Sequence, residues 1–356
     1  MKWTLSIIPR TLHFREPAGT SRGVYLTHDV WYVVAQSDEG HFGVGECAPL
    51  PDLSCDAGPD YEQRLAETCR AFEAEDCLDC VLPADAPSIR FGLETAIAHA
   101  MAGTVRLADT PFSRGKRDIP INGLIWMGSH ERMLERLARK IDGGYRCVKF
   151  KIGAIDFDLE CDMLRRARER WPSPQELEIR LDANGAFTPE EAPARLERLA
   201  AFQPHSIEQP IRQGQWEAMA RLCRESPIPI ALDEELIGVH DDAGKKALLD
   251  TIRPAWIILK PTLHGGMRGC NRWVALATER HVGHWTTSAL ESNVGLNAIA
   301  HWCARHDPIM PQGLGTGQLF TDNMDAFPLS IRDCALHFDP AAPEPDLKGW
   351  LGLGAE

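Results

Sequence analysis

The sequence predicts an α/β protein: a modified (β/α)7β, TIM-like barrel with an N-terminal α+β capping domain that the C-terminal tail completes. Three observations predict it. From Ile119 onward, short apolar runs that read as strands alternate with amphipathic helical patterns. Eight such runs, with seven helical patterns between them, fall between Ile121 and Gly315. Five consecutive runs end in a charged residue, Lys151, Asp182, Glu208, Asp233 and Lys260, at separations of 31, 26, 25 and 27 residues. An open doubly wound sheet is the alternative, but no G-x-G-x-x-G follows the first strand.

Taken in order, residues 1 to about 58 read as a β meander with strands at Trp3 to Ile8, Val30 to Ala35 and Phe42 to Cys47. Asp38-Glu39-Gly40 supplies the turn between the last two. Two loops, Arg15 to Arg22 and Ala48 to Ser54, are expected to cover the barrel mouth and carry specificity. Helices follow at Tyr61 to Glu75 and Ser88 to Ala102, the second with Phe91, Ala98, Met101 and Ala102 expected on one side. The capping domain is expected over 1–118 together with 325–356, and the barrel over 119–324. Barrel strands are expected at Ile121 to Trp126, Val148 to Ile152, Ile179 to Ala183, His205 to Glu208, Pro229 to Asp233, Trp256 to Lys260, His284 to Ser288 and Pro311 to Gly315. Among the helices between them, Glu131 to Ile141 places Met133, Leu137 and Ile141 at steps of four, and Thr188-Pro189-Glu190-Glu191 reads as a capping box. No eighth helix is evident after Gly317. Ile331 to Phe338 reads as a further strand, expected to return to the N-terminal module.

Composition narrows the partners. The chain has 356 residues, 44% of them hydrophobic, and a formal net charge of -13. No block of Lys and Arg would lay a positive stripe along a nucleic-acid backbone, so nucleic acid is excluded as a partner. An anionic substrate must be drawn by local groups, because the overall field opposes it. Eleven cysteines in a chain of this size suit a reducing cytoplasm rather than a disulfide scaffold. Cys77 and Cys80 form a C-x-x-C with no second pair or nearby histidine, and read as surface or packing cysteines. No signal-peptide core and no run of membrane-spanning length is evident, so a cytoplasmic protein without a membrane partner is expected. Nothing in the sequence sets the oligomeric state.

The chemistry centres on Cys147-Val148-Lys149-Phe150-Lys151-Ile152-Gly153. Side chains at i and i+2 share one face of a strand, so Lys149 and Lys151 point the same way. Two ammonium groups side by side lower each other's pKa, and a depressed lysine is a usable general base. In a barrel, the C-terminal strand ends carry the chemistry, which brings the five charged residues to one rim. Three carboxylates converging there need a cation, and oxygen donors suit a hard ion such as Mg²⁺, with Mn²⁺ a substitute. Each acid taken alone could equally cap a helix. With both Lys151 and Lys260 charged the metal-loaded site is net positive. It then binds a carboxylate, and binds the dianionic enediolate formed by loss of the α proton more strongly. Asn184 shares the strand face of Asp182 and reads as its hydrogen-bonding neighbour, and Arg180 lies on that face deeper in the barrel, as substrate contact or structural ion pair. Glu291 reads as a helix-start residue, and His281 and His284 as packing or surface histidines.

Lys149-Phe150-Lys151, Asp182-Ala183-Asn184, Ile207-Glu208-Gln209-Pro210, Leu232-Asp233-Glu234 and Leu259-Lys260-Pro261 together resemble the muconate-lactonising subgroup of the enolase superfamily in order and spacing. The resemblance covers nearly the whole chain. Within the subgroup, Gly45 to Pro51, Ser288 to Asn293 and Gly313 to Gly317 are most similar to the members that form o-succinylbenzoate in menaquinone biosynthesis. This implies a small-molecule carboxylate substrate and syn elimination of water from 2-succinyl-6-hydroxy-2,4-cyclohexadiene-1-carboxylate. It further implies Lys151 as base and then acid, Lys260 as the charged stabiliser of the enediolate, and Asp182, Glu208 and Asp233 as Mg²⁺ ligands. Ser288 and Gly313 stand where the family contacts the succinyl portion. Two rival readings remain open: an N-acylamino acid racemase or dipeptide epimerase using both lysines, and a catalytically silent barrel scaffold.

Overall fold

Along Val30 to Ala35 successive side chains point to opposite faces of a strand, and both faces are covered. The computed structural model describes residues 1–20, 23–125 and 128–353. β1 (Trp3–Thr20), β2 (Gly23–Ser37) and β3 (Phe42–Cys47) form an antiparallel sheet in that order. On one face Val33 and Ala35 pack with Trp3 and with residues of α1 (Tyr61–Glu75), α2 (Leu78–Val81) and α3 (Pro87–Ala102). On the other, Val30, Tyr32 and Val34 join Leu50, Leu290 and Phe320. β3 lies so close to α3 that a Cβ at Gly43 or Gly45 would collide with the helix backbone. The expected loop at Arg15 to Arg22 is largely the tip of the β1–β2 hairpin: after a register shift past His13, pairing resumes at Ala18 with Tyr25. Ser21 and Arg22 lie outside the described residues.

Two expectations for this module need correction. The expected face of α3 is wrong at its end: Met101 is 55% exposed and Ala102 is exposed, while Ile89, Phe91, Leu93, Ala96 and Ala100 are buried. The helix is wedged between β3 and the barrel, so its buried surface is not a single stripe. Cys77 and Cys80, read as unpaired, are joined by a disulfide at the start of α2.

The barrel begins after β4 (Ile119–Pro120). Among the described residues seven parallel strands form one curved sheet, each followed in the chain by a helix. They are β5 (Gly123–Ile125) with α4 (His130–Asp142), β6 (Cys147–Lys151) with α5 (Phe157–Arg170), β7 (Glu178–Asp182) with α6 (Ala192–Ala200), and β8 (Ser206–Glu208) with α7 (Trp216–Glu225). β9 (Ile230–Leu232) with α8 (Asp242–Ile252), β10 (Trp256–Leu259) with α9 (Gly266–Thr278), and β11 (Gly283–Thr286) with α10 (Asn293–Ala304) complete the set. The expected eighth strand is reduced to Gln312 and Gly313, which bridge in parallel to Ile121 and Thr287 and so close the ring. Trp126, the expected end of the first barrel strand, lies outside the described residues. Met133, Leu137 and Ile141 are buried, as their spacing demands, and Ser129 caps α4 by accepting from the Arg132 N–H. The capping box forms, with Thr188 Oγ1 accepting from the Glu191 N–H at 3.2 Å, although regular helix starts only at Ala192.

The tail departs from expectation. β12 (Leu329–Arg332) and β13 (Ala335–Phe338) form a hairpin that pairs with β4, and Leu336 and Phe338 belong to the barrel core. The end of the tail does reach the N-terminal sheet: Leu347 and Leu351 of α11 (Leu347–Leu351) join the core of Tyr32 and Val34, as does Phe327.

Candidate active site

Parallel register delivers the charged residues to one rim. Lys151, Asp182 and Glu208 stand directly abreast at the ends of β6, β7 and β8. Ala231 of β9 is abreast of Glu208, so Asp233 lies two residues further along, just past the strand. Lys260 follows the end of β10 directly. β6 and β10 are four positions apart in a ring of eight, so Lys151 and Lys260 face each other across the mouth. The loop after Lys151 is pinned by Glu160 Oε1, which accepts from the Gly153 N–H at 2.6 Å and the Ala154 N–H at 3.2 Å.

The ammonium groups sit on the carboxylates. Lys149 Nζ lies 2.8 Å from Asp182 Oδ2 and 2.6 Å from Glu208 Oε2. Lys151 Nζ donates to Asp182 Oδ2 at 2.6 Å and to Asn184 Oδ1 at 2.8 Å. Lys260 Nζ pairs with Asp233. Burial works against the Lys149 charge, but Asp182, Glu208 and Asp233 outweigh it and raise its pKa. For Lys149 this is the reverse of the expected depression: counter-charges from the neighbouring strands decide the matter. Burial likewise opposes Lys260, and Asp233 and Glu208 again hold it charged. Burial pushes Asp182 up, yet Lys149 and Lys151 bring it well below the usual carboxylate range. For Glu208, burial and the negative Asp182 prevail over Lys149 and raise the carboxyl.

Lys149, Lys151, Asn184, Lys260, Ser288 and Gly313 line one cavity of about 510 Å³. Ser288 and Thr316 hydroxyls are 2.6 Å apart on its wall. A Cβ at Gly313 would collide with the Thr287 side chain, so any larger residue requires Thr287 to move. Leu50 and Leu53 of the Ala48 to Ser54 loop, and Glu16 of the hairpin tip, also border the cavity. Arg180 does not reach it. Its guanidinium lies below, donating to Glu178 Oε1 at 2.7 Å and to the Pro311 carbonyl at 2.8 Å and stacking on Trp285, which does line the cavity. Glu291 is buried and accepts from Thr262 Oγ1 and the Ala289 N–H, His281 is exposed, and His284 packs near His306, as read from the sequence.

Sequence reasoning missed Glu234, which lines the cavity and accepts from Asn184 Nδ2 at 2.9 Å. Strand alternation would turn the neighbour of Asp233 outward, but a 3₁₀ turn over Glu234–Leu236 starts there and carries Glu234 to the mouth. It also missed Arg136, Arg139 and Lys140 on α4, whose polar face reads as solvent-exposed.

The donors suit a hard cation. Glu208 Oε1, Asp233 Oδ1 and Glu234 Oε2 are buried and accept no hydrogen bond, and unpaired carboxylate oxygens are what a divalent ion satisfies. Among the described residues no three acidic, histidine or cysteine side chains converge as a ready coordination cluster; ammonium groups stand among the carboxylates instead.

A family model described as enolase C-terminal domain-like matches residues 132–356. An o-succinylbenzoate synthase from Desulfotalea psychrophila is 47% identical over 345 residues, covering 88% of this chain and 93% of that protein. The chain belongs to the enolase superfamily, in its o-succinylbenzoate synthase family. A crystal structure of MenC from the same organism superposes with a TM-score of 0.83 at 41% identity, covering 95% of this chain and all of that one. A D-Ala-D/L-Ala epimerase from Cytophaga hutchinsonii is a more distant relative, 26% identical over 81% of this chain and 79% of that protein. Among the described residues no helix is long and apolar enough to cross a membrane.

Proposed function

We propose that this chain eliminates water from 2-succinyl-6-hydroxy-2,4-cyclohexadiene-1-carboxylate to give o-succinylbenzoate, a step of menaquinone biosynthesis. The observation that carries the reading is the pair Lys151 and Lys260, facing each other across a cavity whose lining holds six basic side chains and only two acids, Glu16 and Glu234. Such a cavity selects an anionic substrate in spite of the chain's negative charge.

Lys151, reached through the cavity and steadied by Asp182 and Asn184, takes the proton α to the ring carboxylate. The C–H bonding pair passes onto the ring carboxylate as the enediolate forms, and returns into the ring as the hydroxyl leaves. The same ammonium then returns its proton to the departing hydroxyl as the C–O bond breaks, so hydrogen and oxygen leave from one face as water and the ring becomes aromatic. Lys260, held charged by Asp233, stabilises the negative ring from the opposite side by direct and cation–π attraction. Asp182, Glu208 and Asp233 would hold Mg²⁺, or Mn²⁺ in its place, with Glu234 beside them. The ion, when bound, supplies Lewis-acid charge at the carboxylate oxygens. Lys149 balances Asp182 and Glu208, Asn184 ties Lys151 to Glu234, and Ser288 and Gly313 shape the wall for the succinyl arm. Capping residues 1–118 with 325–356 would close over barrel residues 119–324 and exclude water. We place this chemistry in the cytoplasm; the Cys77–Cys80 disulfide is a feature that runs against a reducing compartment.

The second reading, racemisation of an N-acylated amino acid or epimerisation of a dipeptide, draws on the epimerase relative and on the opposed lysines. Against the dipeptide form, the strand-seven and strand-eight wall, from Thr287 to Leu290 and Gly313 to Leu319, contributes no acid to hold an ammonium group. The deciding experiment follows loss of diene absorbance with Mg²⁺ and with EDTA, beside polarimetry on N-succinyl amino acids. Metal-dependent loss of diene with little racemisation is expected. Racemisation without dehydration moves the function to the rival.

A further inference from the structure

Alternate side chains of β2 share one face, and Val30, Tyr32 and Val34 fill that face with apolar contacts. His28, the next position in the series, is polar and only 3% exposed. Its ring stands between two segments that border the cavity. Nδ1 lies 3.0 Å from the carbonyl oxygen of Leu290, and Nε2 lies 3.3 Å from that of Pro49. Leu290 lines the cavity on the strand-seven side, and Leu50, next to Pro49, lines it from the Ala48 to Ser54 loop. Leu290 holds a left-handed backbone conformation, φ 67°, which a leucine keeps only where its surroundings impose it. The loop is closed on itself, with Ser54 Oγ accepting from the Leu50 N–H at 2.8 Å and the Leu50 carbonyl accepting from the Ser54 N–H at 2.9 Å. Tyr25 Oη donates to the Pro51 carbonyl at 3.1 Å. The loop therefore meets β2 at two points, and the one at His28 responds to pH.

Both partners of the ring are carbonyls, which only accept, and a neutral imidazole has one N–H to give. The neutral ring therefore bonds one of them. The shorter contact assigns its proton to Nδ1 and its bond to Leu290, and the Pro49 oxygen then faces the lone pair of Nε2. An imidazolium has a donor for each. Burial disfavours the charged ring, both carbonyls and the charge of Asp29 favour it, and burial prevails, so the singly bonded form is the resting one at neutral pH. Other ionisable groups on the elements packed here are engaged elsewhere or solvated. His13 of β1 pairs with Asp322 at 3.0 Å, Arg10 donates to the Trp350 carbonyl, and Arg15 and Asp52 are exposed. Glu46 accepts from Ser292 and Gly295, and Glu291 from Thr262 and Ala289.

We propose that His28 is a positioning residue that latches the Ala48 to Ser54 loop to the strand-seven wall, holding Leu290 when its ring carries one proton and Leu290 and Pro49 together when it carries two. The second proton pins the loop over the cavity, so a bound ligand is held more tightly in acid. The proposal rests on the dehydratase reading for its ligand, o-succinylbenzoate, whereas the state of the ring is read without any ligand.

Nitrogen-15 NMR of histidine-labelled protein in Mg²⁺ tests the ring, with the His28 signals assigned by their loss in His28→Gln. The Nδ1–H tautomer is expected in mild alkali, with a second proton added below pH 6.5. An Nε2–H tautomer, or a ring that stays neutral to the acid limit of the fold, overturns the proposal. Calorimetric binding of o-succinylbenzoate in saturating Mg²⁺, from about pH 8 to about pH 5.5, tests the latch. Wild type is expected to gain affinity towards acid by up to about tenfold, the worth of one hydrogen bond from a charged donor. His28→Gln offers N–H donors on one side only at any pH, and should bind as wild type does at the alkaline end and lack the acid gain. In the dehydration assay it should raise KM in acid more than it lowers kcat. Asp29→Asn leaves His28 in place but withdraws a charge that favours the imidazolium; it should move the gain to lower pH, and it serves alone if His28→Gln does not fold. An equal pH response in wild type and His28→Gln overturns the proposal, while normal dehydration by wild type leaves the functional reading intact. Wild type that neither dehydrates the diene nor binds o-succinylbenzoate overturns both.

Discussion

Lys149→Met removes a charge that the structure uses as an internal counter-ion. Lys149 is 12% exposed and lies within 2.8 Å of both Asp182 and Glu208, which are themselves buried. Breaking a buried ion pair by deleting one member costs about 3–5 kcal/mol, mostly as the cost of the charge left behind. Lys151 still contacts Asp182, and Glu208, already raised, can take up a proton, so the lower end of about 3 kcal/mol applies. For a chain of this size that is roughly 4 °C in melting temperature. A divalent cation at the same carboxylates would replace the lost charge, and removal of a nearby ammonium should make the ion bind more tightly. Thermal unfolding of wild type and variant in EDTA, and then across a Mg²⁺ titration, therefore has a definite shape. The variant melts lower without metal, and the gap narrows as Mg²⁺ rises. A variant as stable as wild type in EDTA, or a Mg²⁺ shift equal in both, would refute the view that lysine and cation share one set of carboxylates.

Three further outcomes are expected. Lys151→Ala should lower kcat by about 10²–10⁴-fold or more, with Mg²⁺ affinity and fold retained; a near-normal rate in the dehydration assay removes Lys151 from the base role. Asp233→Asn should weaken Mg²⁺ binding by about tenfold or more, checked by metal titration followed by calorimetry, and an unchanged isotherm counts against Asp233 as a ligand. Glu46 of β3 reaches across to α10, accepting from the Ser292 N–H at 2.8 Å and the Gly295 N–H at 2.7 Å, and burial raises its carboxyl from 4.5 to about 7. A raised acid keeps its proton in the folded state after the unfolded state has lost it, so its contribution is full below pH 4.5 and gone above about pH 7. The difference is about 3 kcal/mol, and Glu46→Gln should flatten the stability profile across that window; parallel profiles for the two proteins would show that Glu46 is ionised throughout.

The barrel was legible because its signal is periodic. Steps of four at Met133, Leu137 and Ile141, and apolar runs such as Trp256 to Leu259, survive in any tertiary context that buries them. The eighth strand and the tail were less legible for the opposite reason. Gln312 and Gly313 contribute only two bridges, set by the closing of the ring, and β13 had two apolar surfaces within reach and pairs with β4. The expected face of α3 failed because a helix wedged between a sheet and a barrel has no single polar side; its glycine contacts with β3, not its periodicity, fix its position.

At the site, the sequence specified which residues reach the rim but not what they meet there. The i, i+2 spacing correctly sends Lys149 and Lys151 to one face, and from that spacing alone mutual repulsion is the natural conclusion. For Lys149 the charges that reverse it include Glu208, 59 residues away, which becomes a neighbour only through parallel register: Lys151 abreast of Asp182, Asp182 abreast of Glu208. Local spacing therefore tells which groups converge, and cross-strand register tells which counter-charges they meet. The same distinction explains Glu234 and Arg136. One is turned to the mouth by a 3₁₀ turn that breaks strand alternation, and the other lies on a helix face that is polar for the sake of the cavity beside it rather than for solvent. Residues of this second kind carry no periodic signature, and only the folded chain brings them to the cavity that Lys151 and Lys260 line.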